Sequence, residues 1–312
     1  MNHNMTCPQF VRSRCFHLTH MIRKHAEAVS YSSDPRHLHQ LRVASRRLRN
    51  TLDVFEEILP PHKVTRWKHG VKQLGQILSA ARDLDVQVQF LNDMIQRHTD
   101  KEGQKFFKCL ASEFTANRQR YQPRVRAALR QIKRMKTLKE LNQALERQAD
   151  QDPRPFQTIY TIAYTKINQR IQKLLTYEQF VDQPQAVDAL HKLRIANKHL
   201  RYTLETLHAT YSKEVDAFLE KILFYHRTLG KMHDFDIWLR FLNQRSTTDV
   251  YPAAGNAALK NFRAFCAERR SECYDQFRMA WHKERKNRLF EDLLGYIRSA
   301  AMFPPIERKS SS

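Results

Sequence analysis

From Leu38 to Phe55 the apolar residues return every three or four positions. Projected at roughly 100° per residue, Leu38, Leu41, Leu48, Leu52 and Phe55 fall on one stripe, which predicts an amphipathic helix. His39, Arg42, Arg46 and Arg49 fall together beside that stripe. The pattern returns from Leu190 to Leu207: Leu190, Leu193, Leu200, Leu204 and Leu207 are apolar, and His191, Arg194, Lys198 and Arg201 take the matching cationic places. Between LHQLRVASRRLRNTL and LHKLRIANKHLRYTL, nine of fifteen positions are identical at an offset of 152, so the halves read as copies of one unit. Each helix packs by one face and offers a row of cations with the next.

The flanking patterns complete the plan. Phe10, Cys15, Leu18, Met21, Ile22 and Ala26 predict a helix over about 8–30. Asp34 and Pro35 then read as an N-cap followed by an N1 proline, opening a helix that should run to Leu59 before Pro60-Pro61 ends it. Trp67, Val71, Leu74, Ile77 and Leu78 mark a third helix. Arg82-Asp83-Leu84-Asp85 reads as a turn whose aspartate caps the helix carrying Val86, Val88, Leu91 and Ile95. Residues 101–149 read as one long or two shorter helices, with a kink or break at Pro123. A helix over about 156–176 opens the second half, followed by the repeated helix to Thr210 and another to Gly230. His233-Asp234-Phe235-Asp236 matches Arg82-Asp83-Leu84-Asp85 at an offset of 151, and helices over 253–300, broken near Trp281-His282, complete it. The expected organisation is a first bundle over 1–149, a hinge at 150–155, a second bundle over 156–302 and a frayed tail at 303–312. No strand pattern appears. With six glycines and 41% hydrophobic residues in 312, the fold class expected is all-α.

Charge narrows the function. Lys and Arg number 54 against 32 Asp and Glu, a net +22, which implies an anionic partner: nucleic acid, a phosphate polymer or a membrane surface. Five cysteines without a CxxC favour neither a disulfide framework nor a thiolate zinc site. The N-terminal residues lack the apolar core of a signal peptide, and no run approaches the roughly 18 apolar residues of a membrane span. A soluble, cytoplasmic protein is therefore expected, with no membrane partner.

Eight cationic or protonatable side chains in two rows repel one another unless an anion lies among them. Guanidinium forks suit phosphate oxygens, lysine adds a point charge, and a nearby phosphate favours the charged form of a histidine. An isolated basic stripe is ordinarily a solvated helix face; repetition in both halves points instead to a shared ligand. Asp53 and Glu205 occupy equivalent places, either orienting Arg49 and Arg201 or forming ordinary helix-surface pairs. Asp83, Asp85, Asp234 and Asp236 read as helix caps rather than metal ligands. Arg82 and His233 beside them, Arg47 and its counterpart His199, and Tyr202 opposite Asn50 are second-rank candidates. His233-Asp234 imitates a metal-dependent phosphohydrolase centre, but the first half has Arg82-Asp83 there. No GxxxxGK[ST], HExxH or ExExK array appears, so no catalytic residue, metal site or cofactor is expected.

The run HxLRVAxRRLR with RDLD, echoed by HKLRIAxKxLRY with HDFD, resembles the CHAD family, the conserved histidine α-helical domain, over essentially the whole chain. The resemblance implies two helical bundles related by a pseudo-twofold, a basic channel or groove between them, and binding of inorganic polyphosphate without chemistry upon it. It places His39, Arg42, Arg46 and Arg49 on the ligand, with His191, Arg194, Lys198 and Arg201 opposite. The changes Arg47 to His199 and Arg82 to His233 make the second half less permanently charged. Recruitment to polyphosphate granules extends this reading. RNA or DNA binding is the alternative, motivated by the net charge and the basic run Arg124 to Lys139; an adaptor for acidic proteins is a third.

Overall fold

The carboxylate of Asp34 accepts a hydrogen bond of 2.8 Å from the Arg36 backbone N–H, and Pro35 occupies the first helical position behind it. This cap starts the helix that carries the first cation row. The computed structural model describes residues 5–31, 34–97, 100–134, 136–152, 154–155, 158–211, 213–245 and 253–302. All regular structure among them is helical, with no strand. The chain divides into two compact units, Met1–Thr158 and Ile159–Ser312.

The first unit holds α1 (Cys7–Tyr31), α2 (Pro35–Val54), α3 (Pro61–Arg97), α4 (Lys101–Arg134) and α5 (Lys136–Gln151). α2 packs between α1 and α3, α3 pairs along its length with α4, and α5 closes on α1. The predicted stripe is the core: Leu41, Leu48, Leu52 and Phe55 are fully buried, with Leu38 nearly so. Phe10 of α1 meets Phe55 edge to face at 5.9 Å between ring centroids. Gln148 donates to the Ile58 carbonyl, and the Cys7 backbone N–H donates to the Arg154 carbonyl at 3.1 Å. Of the segment read as a hinge, residues 150–151 are the end of α5 and Arg154 accepts the bond from Cys7. The predicted tail lies outside the described residues.

The second unit holds α6 (Thr158–Leu175), α7 (Val187–Leu207), α8 (Glu214–Arg245), α9 (Ala253–Lys286) and α10 (Leu289–Met302). α7 packs on α8, and α8 pairs with α9. Leu190, Leu193, Leu200, Leu204 and Leu207 are buried, as the stripe predicts. Tyr225, Phe277, Trp281 and Phe290 form a chain of ring contacts that joins α8, α9 and α10.

Several boundaries differ from those expected. α2 ends at Val54, and a 3-10 turn, Glu56–Ile58, takes the place of its expected last turn, with Phe55, Ile58 and Leu59 all buried. Pro123 does not break α4, which runs through it on its exposed side. α9 passes through Trp281-His282, since Trp281 is a core residue, and the helix stops at Lys286, just before Arg288 in the left-handed region at φ 55°. Neither tetrad is a turn: Arg82–Asp85 lies inside α3 and His233–Asp236 inside α8, so their aspartates cap nothing. The carboxylates serve to tie helices together instead. Arg118 of α4 donates from Nε to Asp85 at 2.7 Å, and Arg270 of α9 donates from Nε to Asp236 at the same distance.

Candidate functional site

In the first unit the row follows from the amphipathic spacing. With Leu38, Leu41 and Leu48 held in the core, His39, Arg42, Arg46 and Arg49 come to lie half-buried along the flank of α2. α3 brings Arg82 to the same place: burial first, then Arg42, Arg82 and Arg46, hold the His39 imidazole below its usual range. His39, Arg42, Arg46 and Arg82 therefore form one cluster across α2 and α3. Arg47 is exposed and lies near Arg14 of α1, whose pKa is lowered by burial first and then by the Arg47 charge.

The second unit builds the corresponding cluster across α7 and α8. His191 Nδ1 lies 3.0 Å from His233 Nδ1, with ring centroids 4.3 Å apart. Burial, then Arg194 and Lys198, lower the His191 pKa; Asp188 opposes them and Arg240 adds to them. His233 is pushed down to about 4 by burial, then by Arg194, His191, Arg240 and Lys198. Arg201 is turned inward: it is buried, ion-paired to Glu205 at 3.1 Å, and its guanidinium lies 4.6 Å from the Tyr202 ring centroid. Tyr202 is a buried packing partner of that arginine, its counterpart Asn50 is also buried, and His199 is half-buried on α7. Asp53, equivalent to Glu205, receives Lys68 of α3 at 2.9 Å.

The Nε atoms of Arg42 and Arg194 are buried and have no hydrogen-bond partner among the described residues. These two arginines occupy equivalent places in the two rows. A donor buried without an acceptor costs about 1–3 kcal/mol. An anion seated on the row supplies the missing acceptor.

Arg240 was not among the sequence candidates. It stands seven residues beyond His233 on α8, two helical turns along, and faces both imidazoles electrostatically. Its counterpart in the first half is Gln89, so comparison of the halves passes over it. Cation spacing along α8 alone would have found it. Arg118 and Arg270 were missed for a different reason: their partners sit on another helix, which periodicity within one helix does not reveal. Among the described residues there is no group of three or more His, Cys, Asp or Glu side chains suited to a metal ion. Nor is any helix long and apolar enough to cross a membrane.

Fold and site define an all-α protein whose two units each present a basic cluster on a helix pair. The CHAD domain model matches residues 16–243, and the chain belongs to the CHAD family. Its structure is similar to the crystal structure of the CHAD domain from the plant Ricinus communis, with a TM-score of 0.67 and 23% identity over 90% of this chain and 93% of that one. It is also similar to PptA from Streptomyces chartreusis, with a TM-score of 0.62 and 15% identity over 88% and 97% of the two chains. At these identities the likeness is one of fold. No curated protein matches the chain.

Proposed function

We propose that this protein binds inorganic polyphosphate through the basic clusters of both units, without turning it over, and that this binding localises it to cytoplasmic polyphosphate granules. The common groove implied by the family resemblance belongs to the same reading. The observation that carries it is the pair of buried, partnerless Nε atoms of Arg42 and Arg194. Each lies in a cluster whose neighbours are cations and imidazoles. Phosphate oxygens satisfy both the missing acceptor and the excess charge. An unbranched polymer with one charge per unit suits rows that lack interleaved stacking rings; the aromatic platforms on which single-stranded nucleic acids are bound do not occur along them. Binding without turnover is part of this proposal and follows the family resemblance.

Titration with long-chain polyphosphate, with an RNA competitor of equal phosphate content, tests the reading. Strong, salt-sensitive binding is expected, with RNA displaced at far lower phosphate concentration than the reverse. Replacing Arg42, Arg46, Arg194 and Lys198 together by alanine should weaken binding at least about a hundredfold, taking roughly 1 kcal/mol for each charge-assisted contact. Preference for RNA, or unchanged affinity in that variant, would reject the site.

A further inference from the structure

Two imidazoles whose Nδ1 atoms stand 3.0 Å apart are hydrogen-bonded only when one Nδ1 carries the proton and the other offers its lone pair. In the neutral His191–His233 pair the donor ring therefore has its lone pair on Nε2, and the acceptor ring has its proton there. One further proton fits on the donor ring's Nε2 and leaves the contact intact. A second would set N–H against N–H across 3.0 Å and break it. The pair is thus built to accept a single charge.

Its surroundings decide when that charge enters. From α7 the pair faces Arg194, Lys198 and Asp188, and from α8 it faces Arg240. Burial first, and then three cations against one carboxylate, disfavour the charged form of both rings while the site is empty. A phosphate among those cations reverses the local field and favours the imidazolium. We propose that the second unit binds phosphate together with one proton, drawn from solvent onto the His191–His233 pair. The first unit has no such pair in its cluster: Arg82 takes the place of His233 beside the single His39. Arg240 restores the permanent charge that the exchange of Arg82 for His233 removes, so the second unit is an equally cationic site with a proton-dependent part added.

The inference rests on the reading of the rows as phosphate-binding, and calorimetry separates the two. Long-chain polyphosphate is titrated into the full chain at pH 7 in two buffers of different ionisation enthalpy, which gives the number of protons taken up. The same titration is made with His233→Arg, the residue type of the first unit. The variant should take up fewer protons than the parent protein, by up to one, because the pair that shares the charge is broken; its proton count, not its affinity, is the readout. Equal counts would overturn the inference while leaving polyphosphate binding intact. Failure of the protein to retain polyphosphate in equilibrium dialysis at low salt would remove the phosphate reading itself, and this inference with it. Should the variant not fold, imidazole nitrogen NMR of the parent protein decides: polyphosphate should protonate Nε2 of one ring of the pair at pH 7, and rings that stay neutral in the complex would contradict it.

Discussion

Arg42 and Arg194 each leave a buried Nε without an acceptor, and burial first, then nearby arginines, disfavour protonation of His39, His191 and His233. Residues in such positions lower the stability of the empty protein. The sign for the histidines follows from linkage: their folded pKa values lie below the unfolded value near 6.5, so the unfolded chain binds more protons in the interval between. Their contribution to stability is complete above about pH 6.5 and is lost as pH falls toward the folded values, about 4 for His233. Thermal melts of the free protein should therefore fall in Tm between pH 7.5 and 5.5. Saturating polyphosphate should flatten or reverse that trend, since it raises the same pKa values. A free protein whose Tm is flat across this range would contradict the electrostatic picture of the clusters.

At the scale of elements, the second aspartate of each tetrad, Asp85 and Asp236, ties α3 to α4 and α8 to α9 and so holds the helices on which the clusters depend. The Asp236–Arg270 pair is largely sequestered, its side chains 9% and 13% exposed, and Arg270 also donates to the Pro184 carbonyl at 2.8 Å. Removing one partner leaves a buried charge unanswered, so Asp236→Ala should cost about 3 kcal/mol in urea unfolding. The more exposed Asp85–Arg118 pair, at 22% and 20%, should cost less when Asp85 is changed to alanine. Equal and negligible losses would return these residues to surface decoration. The tetrads also show where sequence reasoning stops. An aspartate in a polar run has the same local signature whether it caps a helix or ties two helices together, and only the position of Arg118 and Arg270 on the next helix separates the two. The α2 and α7 stripes, by contrast, were fully legible, because burial of leucine at helical spacing is written in one segment. Pro123 and Trp281 both lie inside helices where breaks were expected: an exposed proline is tolerated inside α4, and Trp281 is a buried core residue within α9.

At the scale of the whole molecule, a net +22 on 312 residues is spread over surface arginines as well as the two clusters. Arg124, Arg126 and Arg130, all exposed on α4, form the strongest rival surface. Helical spacing, repetition and the family resemblance single out eight first-rank residues. The structure gathers His39, Arg42 and Arg46 with Arg82, and His191, Arg194 and Lys198 with His233; it turns Arg201 inward to Glu205 and adds Arg240. Repetition could find what the halves share, but not an arginine present in only one of them. The central claim is that the polyanion lies on the two clusters and not on the general basic surface, and the most direct measurement of it is a crystal structure with polyphosphate bound. Phosphate density against Arg42 and Arg46 in one unit and against Arg194, Lys198 and Arg240 in the other is the predicted result. Density on Arg124, Arg126 and Arg130 with both clusters empty would contradict the account.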